Sequence, residues 1–154
     1  MFENNKNIWV YIETEEGKPK AVGFELLSPG RDIADKRGCS LVAVVIGNGV
    51  EETAKQAIAY GADQVLLLDA PEYNIYNTDV FGEAMVGLIE KYQPEGILIG
   101  ATNNGRDLGP CLAVNCNTGL TADCTKLEID PTDKKIQQTR PAFGGNLMAT
   151  IICP

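Results

Sequence analysis

The sequence predicts an α/β fold: a doubly wound, mostly parallel sheet with antiparallel strands at its C-terminal edge. Three observations predict it. Short apolar runs alternate with stretches of helical period from Ile8 to Ala113. One of those runs, Leu41 to Ile46, is apolar throughout, as a strand covered on both faces requires. Beyond Thr121 the pattern changes to three short strand-like runs separated by turn residues. With 154 residues, the chain fits one domain of ordinary size.

The elements follow in order. Ile8-Trp9-Val10-Tyr11-Ile12 is rich in β-branched and aromatic residues and reads as a strand, with a turn over Glu13 to Gly17. A helix is expected from Ala21 to Arg37, interrupted near Pro29-Gly30 and stopped at Gly38. After the strand Leu41–Ile46, Asn48-Gly49 leads into a helix with Glu51 and Glu52 in its first turn and Ala54, Ala57 and Ile58 as its inward stripe. The strand Gln64–Leu68 comes next. A helix then carries Phe81, Ala84, Met85, Leu88, Ile89 and Tyr92 on one face, starting at Asn77 or Thr78 and ending at Pro94. Gly96–Ala101 is the fourth strand of this series, and Thr102 to Gly105 turns the chain into a helix bearing Leu108, Leu112 and Ala113. The last three strands are expected at Cys124–Ile129, Ile136–Thr139 and Leu147–Cys153. A chain that stops at Pro154 directly after a strand suggests a longer one divided at a domain boundary.

Composition narrows function by exclusion. The chain has no histidine, so it has no imidazole base, no Cys/His or Ser/His pair and no His-ligated metal. Its net charge of −8 is opposite to what phosphate-backbone contacts need, which argues against nucleic acid. Five cysteines, Cys39, Cys111, Cys116, Cys124 and Cys153, are odd in number and irregularly spaced. They read as small packing residues in a reducing compartment, not as disulfides or metal knuckles, and without a His none is set up as a nucleophile. No apolar run is long enough for a signal peptide or membrane insertion, so a cytoplasmic location is expected.

Several loops resemble nucleotide cradles. Gly47-Asn48-Gly49 lies between strand and helix, but Glu52 fills the third glycine position and the two glutamates would repel a pyrophosphate. Gly100 to Asp107 has the glycine spacing of a P-loop, with Arg106 where Lys is needed and Asp107 where Ser or Thr must hold magnesium. This second loop is expected at the carboxyl end of a central strand. Its amides, Asn103, Asn104 and Arg106 suit an anion or a partner carboxylate; equally, Asp107 could cap the helix and pair with Arg106 at the surface. Asn117 to Cys124 reads as a polar turn, in which Asp123 could orient a nearby hydroxyl or amide. Arg140-Pro141-Ala142-Phe143-Gly144-Gly145-Asn146 places an arginine beside an aromatic and a glycine pair, a feature suited to close approach by another backbone or a flat ligand.

Taken together, GRDLGP at Gly105 to Pro110, NTGLTADCT at Asn117 to Thr125 and RPAFGGNLMATI at Arg140 to Ile151 resemble the N-terminal domain of the electron transfer flavoprotein alpha subunit. The resemblance extends over nearly the whole chain. It implies an architecture akin to adenine-nucleotide α-hydrolases, with residues 1–154 as the N-terminal domain and a C-terminal FAD-binding domain beyond it. It also implies a heterodimer with a beta subunit and electron exchange with acyl-CoA-type dehydrogenases. FAD is then expected in the full heterodimer and not tightly on this part, which acts as a carrier scaffold with no catalysis of its own. The face toward the beta subunit or its nucleotide is expected at Asn103, Asn104, Gly105, Arg106, Asp107, Arg140 and Asn146. A stand-alone adenine-nucleotide binding module of the stress-protein type is the alternative, with its ligand near Gly47 and Gly100.

Overall fold

The computed structural model describes residues 7–133, 135–141 and 148–152. Strand β1 (Ile8–Ile12) leads into a small hairpin of β2 (Thr14–Glu15) and β3 (Lys18–Pro19). Helix α1 (Ala21–Arg37), β4 (Leu41–Gly47), α2 (Glu51–Ala59) and β5 (Gln64–Asp69) follow, then a 3-10 turn at Pro71–Tyr73. The series continues with α3 (Thr78–Tyr92), β6 (Gly96–Leu98) and α4 (Asn103–Asn115), and closes with β7 (Lys126–Ile129), β8 (Ile136–Pro141) and β9 (Met148–Ile152). The central sheet is parallel in the order β5-β4-β1-β6.

Alternation along β1 and β4 sorts the core into two layers, because successive side chains leave opposite faces of a strand. Ile8, Val10, Ile12, Leu41, Ala43 and Val45 face Leu27, Ile33 and Ala34 of α1 and Ala57 of α2. Trp9, Tyr11, Val42, Val44 and Ile46 face Phe81 and Met85 of α3 and Leu108 and Leu112 of α4. The doubly wound α/β class is therefore observed, with antiparallel terminal strands as expected. Those strands hydrogen-bond in the order β7-β8-β9 as a sheet of their own, and Leu127, Ile129 and Ile136 pack against the α1 side of the core.

Four local expectations change. Helix α1 runs unbroken through Pro29, and Gly30 is buried against the sheet: a Cβ there would lie 2.9 Å from Leu41 Cδ1 and 3.0 Å from Val10 Cγ2. Gly30 thus permits close helix–sheet approach and does not mark a break. The buried stripe of α2 is Thr53 and Ala57, with Ile58 48% exposed. Strand β6 ends at Leu98 and stands at one end of the parallel order, so the loop after it does not follow a central strand. The turn expected over Glu13–Gly17 narrows to Glu16 and Gly17, both at positive φ (50° and 77°), because Thr14–Glu15 form β2 and pair with β3.

Candidate functional site

The order β5-β4-β1-β6 places its reversal between β1 and β6. In open α/β sheets the crevice outside the carboxyl ends of such a strand pair is where ligands bind. Here that crevice is occupied by the chain itself. Glu13, the first residue past β1, is only 3% exposed. One of its carboxylate oxygens accepts a hydrogen bond from the Thr102 hydroxyl, and the other lies 3.0 Å from Lys20 Nζ. A buried carboxylate needs such partners, since desolvation alone would expel its charge. The Glu13 contact in turn raises the Lys20 ammonium above the usual lysine range.

Thr102 has a second role. Its Oγ1 accepts from the Gly105 amide at 3.0 Å and its carbonyl accepts from the Arg106 amide at 2.8 Å, so it is the N-cap of α4. A cap by Asp107, one of the two sequence alternatives, is therefore replaced by Thr102. The Arg106 guanidinium contacts Asp123 Oδ1 at 3.0 Å instead of Asp107, with both side chains about half exposed, and its Nε donates to the Ala101 carbonyl at 3.3 Å. Asp123 takes a positive φ of 53°, and its contact with Arg106 ties the Asn117–Cys124 turn to α4. Gly105 is required sterically: a Cβ would lie 1.9 Å from the Gly100 carbonyl oxygen.

The Gly47-Asn48-Gly49 turn is occupied in the same manner. Asp69, the last residue of β5, accepts from the Gly49 amide at 2.8 Å and from the Val50 amide at 2.9 Å. Those amides are the ones a phosphate at the α2 entrance would use. The β2–β3 hairpin lies over the same turn: Thr14 Oγ1 donates to the Ile46 carbonyl at 2.9 Å, and a Cβ on Gly17 would meet the Asn48 carbonyl at 3.1 Å. With Asp69 in place and Glu51 and Glu52 beside it, the turn does not fit a flavin or adenine-nucleotide pyrophosphate.

Of the residues singled out in the sequence, Asn103, Asn104, Gly105, Arg106 and Asp107 share the first turns of α4, with Asn103, Arg106 and Asp107 exposed. Arg140 lies on β8 opposite Ala149, and among the described residues no hydrogen bond or ion pair joins it to that turn. Asn146, with Ala142 to Gly145, lies outside the described residues. Sequence reasoning missed Glu13, Lys20, Thr102 and Asp69 as the groups that close both crevices. A readable signal existed for two of them, since Glu13 and Asp69 are carboxylates standing at the ends of the apolar runs of β1 and β5.

Cys39, Cys111 and Cys116 are half-buried, Cys124 is more exposed, and Cys153 lies outside the described residues. Cys111 is half-buried between α3 and α4, where a Cβ on Gly82 would come within 2.9 Å of its Sγ. Burial pushes the Cys39, Cys116 and Cys124 thiols up, away from the thiolate that a nucleophile requires. Among the described residues no group of His, Cys, Asp or Glu is arranged to hold a metal ion, and no helix is long and apolar enough to cross a membrane.

Residues 8–154 match the family model described as the electron transfer flavoprotein domain. The chain belongs to that family. It is 49% identical over 149 residues to the electron transfer flavoprotein subunit alpha of Thermoanaerobacterium thermosaccharolyticum, which covers 97% of this chain and 45% of that protein. It is 46% identical over 171 residues to the acryloyl-CoA reductase electron transfer subunit beta of Anaerotignum propionicum, covering 97% and 47%. Protein FixB of Rhizobium meliloti is 44% identical over 155 residues, covering 98% and 44%. The chain thus spans a little under half the length of these relatives. In this electron transfer flavoprotein domain, Asp69 holds two amides at the α2 entrance, and the Thr102 hydroxyl, itself bonded to Glu13, holds one at the α4 entrance.

Proposed function

We propose that this chain is the N-terminal domain of an electron transfer flavoprotein alpha subunit, and that it works as the scaffold on which a beta subunit assembles. The observation that carries the reading is the internal filling of both cradles, by Asp69 at the Gly49 and Val50 amides and by Glu13 at the β1–β6 crevice. A domain that keeps a nucleotide-type sheet but satisfies its phosphate-facing donors internally is suited to docking and not to holding FAD or AMP. Identity of 49% to a relative named as an alpha subunit supports the same reading. FAD then belongs to a further domain, the complete heterodimer carries electrons between acyl-CoA-type dehydrogenases and other acceptors in the cytoplasm, and this part performs no chemistry of its own.

The exposed start of α4, with Asn103, Asn104, Arg106 and Asp107 around Gly105, and Arg140 and Asn146 form the face toward the beta subunit or its nucleotide in this reading. Arginines at a desolvated interface centre commonly cost 1 kcal/mol or more on truncation, which is about fivefold or more in affinity. Arg106→Ala and Arg140→Ala in the full-length heterodimer should therefore weaken subunit association or flavin retention by about that factor. Assembly and flavin content at the wild-type level in both variants would remove these residues from the interface.

A further inference from the structure

We infer that Glu13, acting through Thr102, is the positioning residue for the α4 face of the domain; this rests on the reading of that face as the subunit interface. The connection is a relay of three contacts. Lys20 Nζ approaches one Glu13 oxygen at 3.0 Å, the other Glu13 oxygen receives the Thr102 hydroxyl, and the same hydroxyl oxygen accepts from the Gly105 amide at 3.0 Å. The relay spans three parts of the fold: β3's exit into α1, the end of β1 and the entrance of α4.

Its geometry leaves the turn little freedom. Gly105 already packs against the Gly100 carbonyl so closely that no side chain fits, and a Cβ on Gly100 would lie 2.8 Å from Val22 Cγ2 in α1. Thr102 holds the Gly105 amide through its hydroxyl and the Arg106 amide through its carbonyl, so its placement sets the direction in which Asn103 and Arg106 leave the helix end. Size alone does not explain Glu13: an apolar residue of its volume would fill the crevice but would leave the Lys20 ammonium and the Thr102 hydroxyl without their partner. What the carboxylate adds is a fixed acceptor that orients the Thr102 hydroxyl, so that its oxygen lone pair faces the Gly105 amide.

The test uses the full-length alpha subunit with its beta subunit and compares Thr102→Val, Thr102→Ser, Glu13→Gln and Arg106→Ala. Thr102→Val should weaken subunit association about as much as Arg106→Ala and should speed amide exchange at Gly105 at least tenfold. Thr102→Ser keeps the hydroxyl and should restore both. Glu13→Gln, which keeps the shape, should give an intermediate loss and serves as the second variant should Thr102→Val fail to fold. Wild-type assembly in Thr102→Val or Glu13→Gln, beside a weakened Arg106→Ala, would overturn the positioning role and leave the interface intact. Wild-type assembly in Arg106→Ala as well would overturn the interface reading and this inference with it.

Discussion

A methyl group at Gly105 would meet the Gly100 carbonyl oxygen at 1.9 Å, and backbone cannot yield as a flexible side-chain end can. Gly105→Ala is therefore expected to cost about 3 kcal/mol, measured by urea unfolding. Asp69 holds two amides at the α2 entrance, and Asp69→Ala should cost about 1–2 kcal/mol by the same measurement. Asp63 supplies a pH signature. Burial acts to raise its carboxyl, but the Leu41 amide and the Arg31 guanidinium outweigh that and hold it below the usual aspartate range. A group depressed in the folded state contributes stability that is present above its unfolded value, about 3.9, and is lost as the pH falls through the folded one. Acid unfolding monitored by circular dichroism should show this, and Asp63→Asn should flatten stability against pH in that acid range while leaving its slope at neutral pH unchanged.

Helix α1 shows where local rules mislead. Pro29-Gly30 has the composition of a helix break, yet the stripe of Gly23, Leu27, Gly30, Ile33 and Ala34 keeps one face on the sheet across it, and tertiary burial overrides the proline. Pro29→Ala should restore a backbone hydrogen bond and stabilise the domain by about 1–3 kcal/mol. Gly30→Ala gains about 1 kcal/mol of helix propensity but must push into the fully buried Leu41 and Val10, and overpacking of about 1–3 kcal/mol decides the sign as destabilising. Opposite signs for adjacent residues in thermal melts would support the close-approach role of Gly30. Helix α3, in contrast, was fully legible: Asn77 caps it through the Asp79 and Val80 amides, and Phe81 and Met85 are buried where the helical period placed them. Helix α2 is legible in part: Ala57 lies inward as expected, but Thr53 joins it and Ile58 lies outward, because a β-branched polar residue carries no apolar signal in a periodicity count.

At the scale of the whole molecule, the alternating runs were enough to read the α/β class and the order of elements, since each run and each period is local. Strand order is not local. That β6 joins β1 at one end of the parallel order depends on a crossover between residues far apart in the chain, whereas β7, β8 and β9 each pair with a neighbour in sequence. The same limit hid the site. Glu13 and Thr102 are 89 residues apart, and only folding reveals that a carboxylate after β1 and a hydroxyl after β6 share one crevice. Arg106 was legible as a feature of its loop, whereas its partner Asp123 was legible only as a turn residue. The central claim is that the domain fills its own nucleotide places and so acts as a scaffold. Calorimetric titration of the purified 154-residue chain with FAD, AMP and ATP tests it most directly. The account predicts no saturable heat with any of the three. Stoichiometric binding with a Kd on the order of 1 µM, about −8.2 kcal/mol, would contradict it.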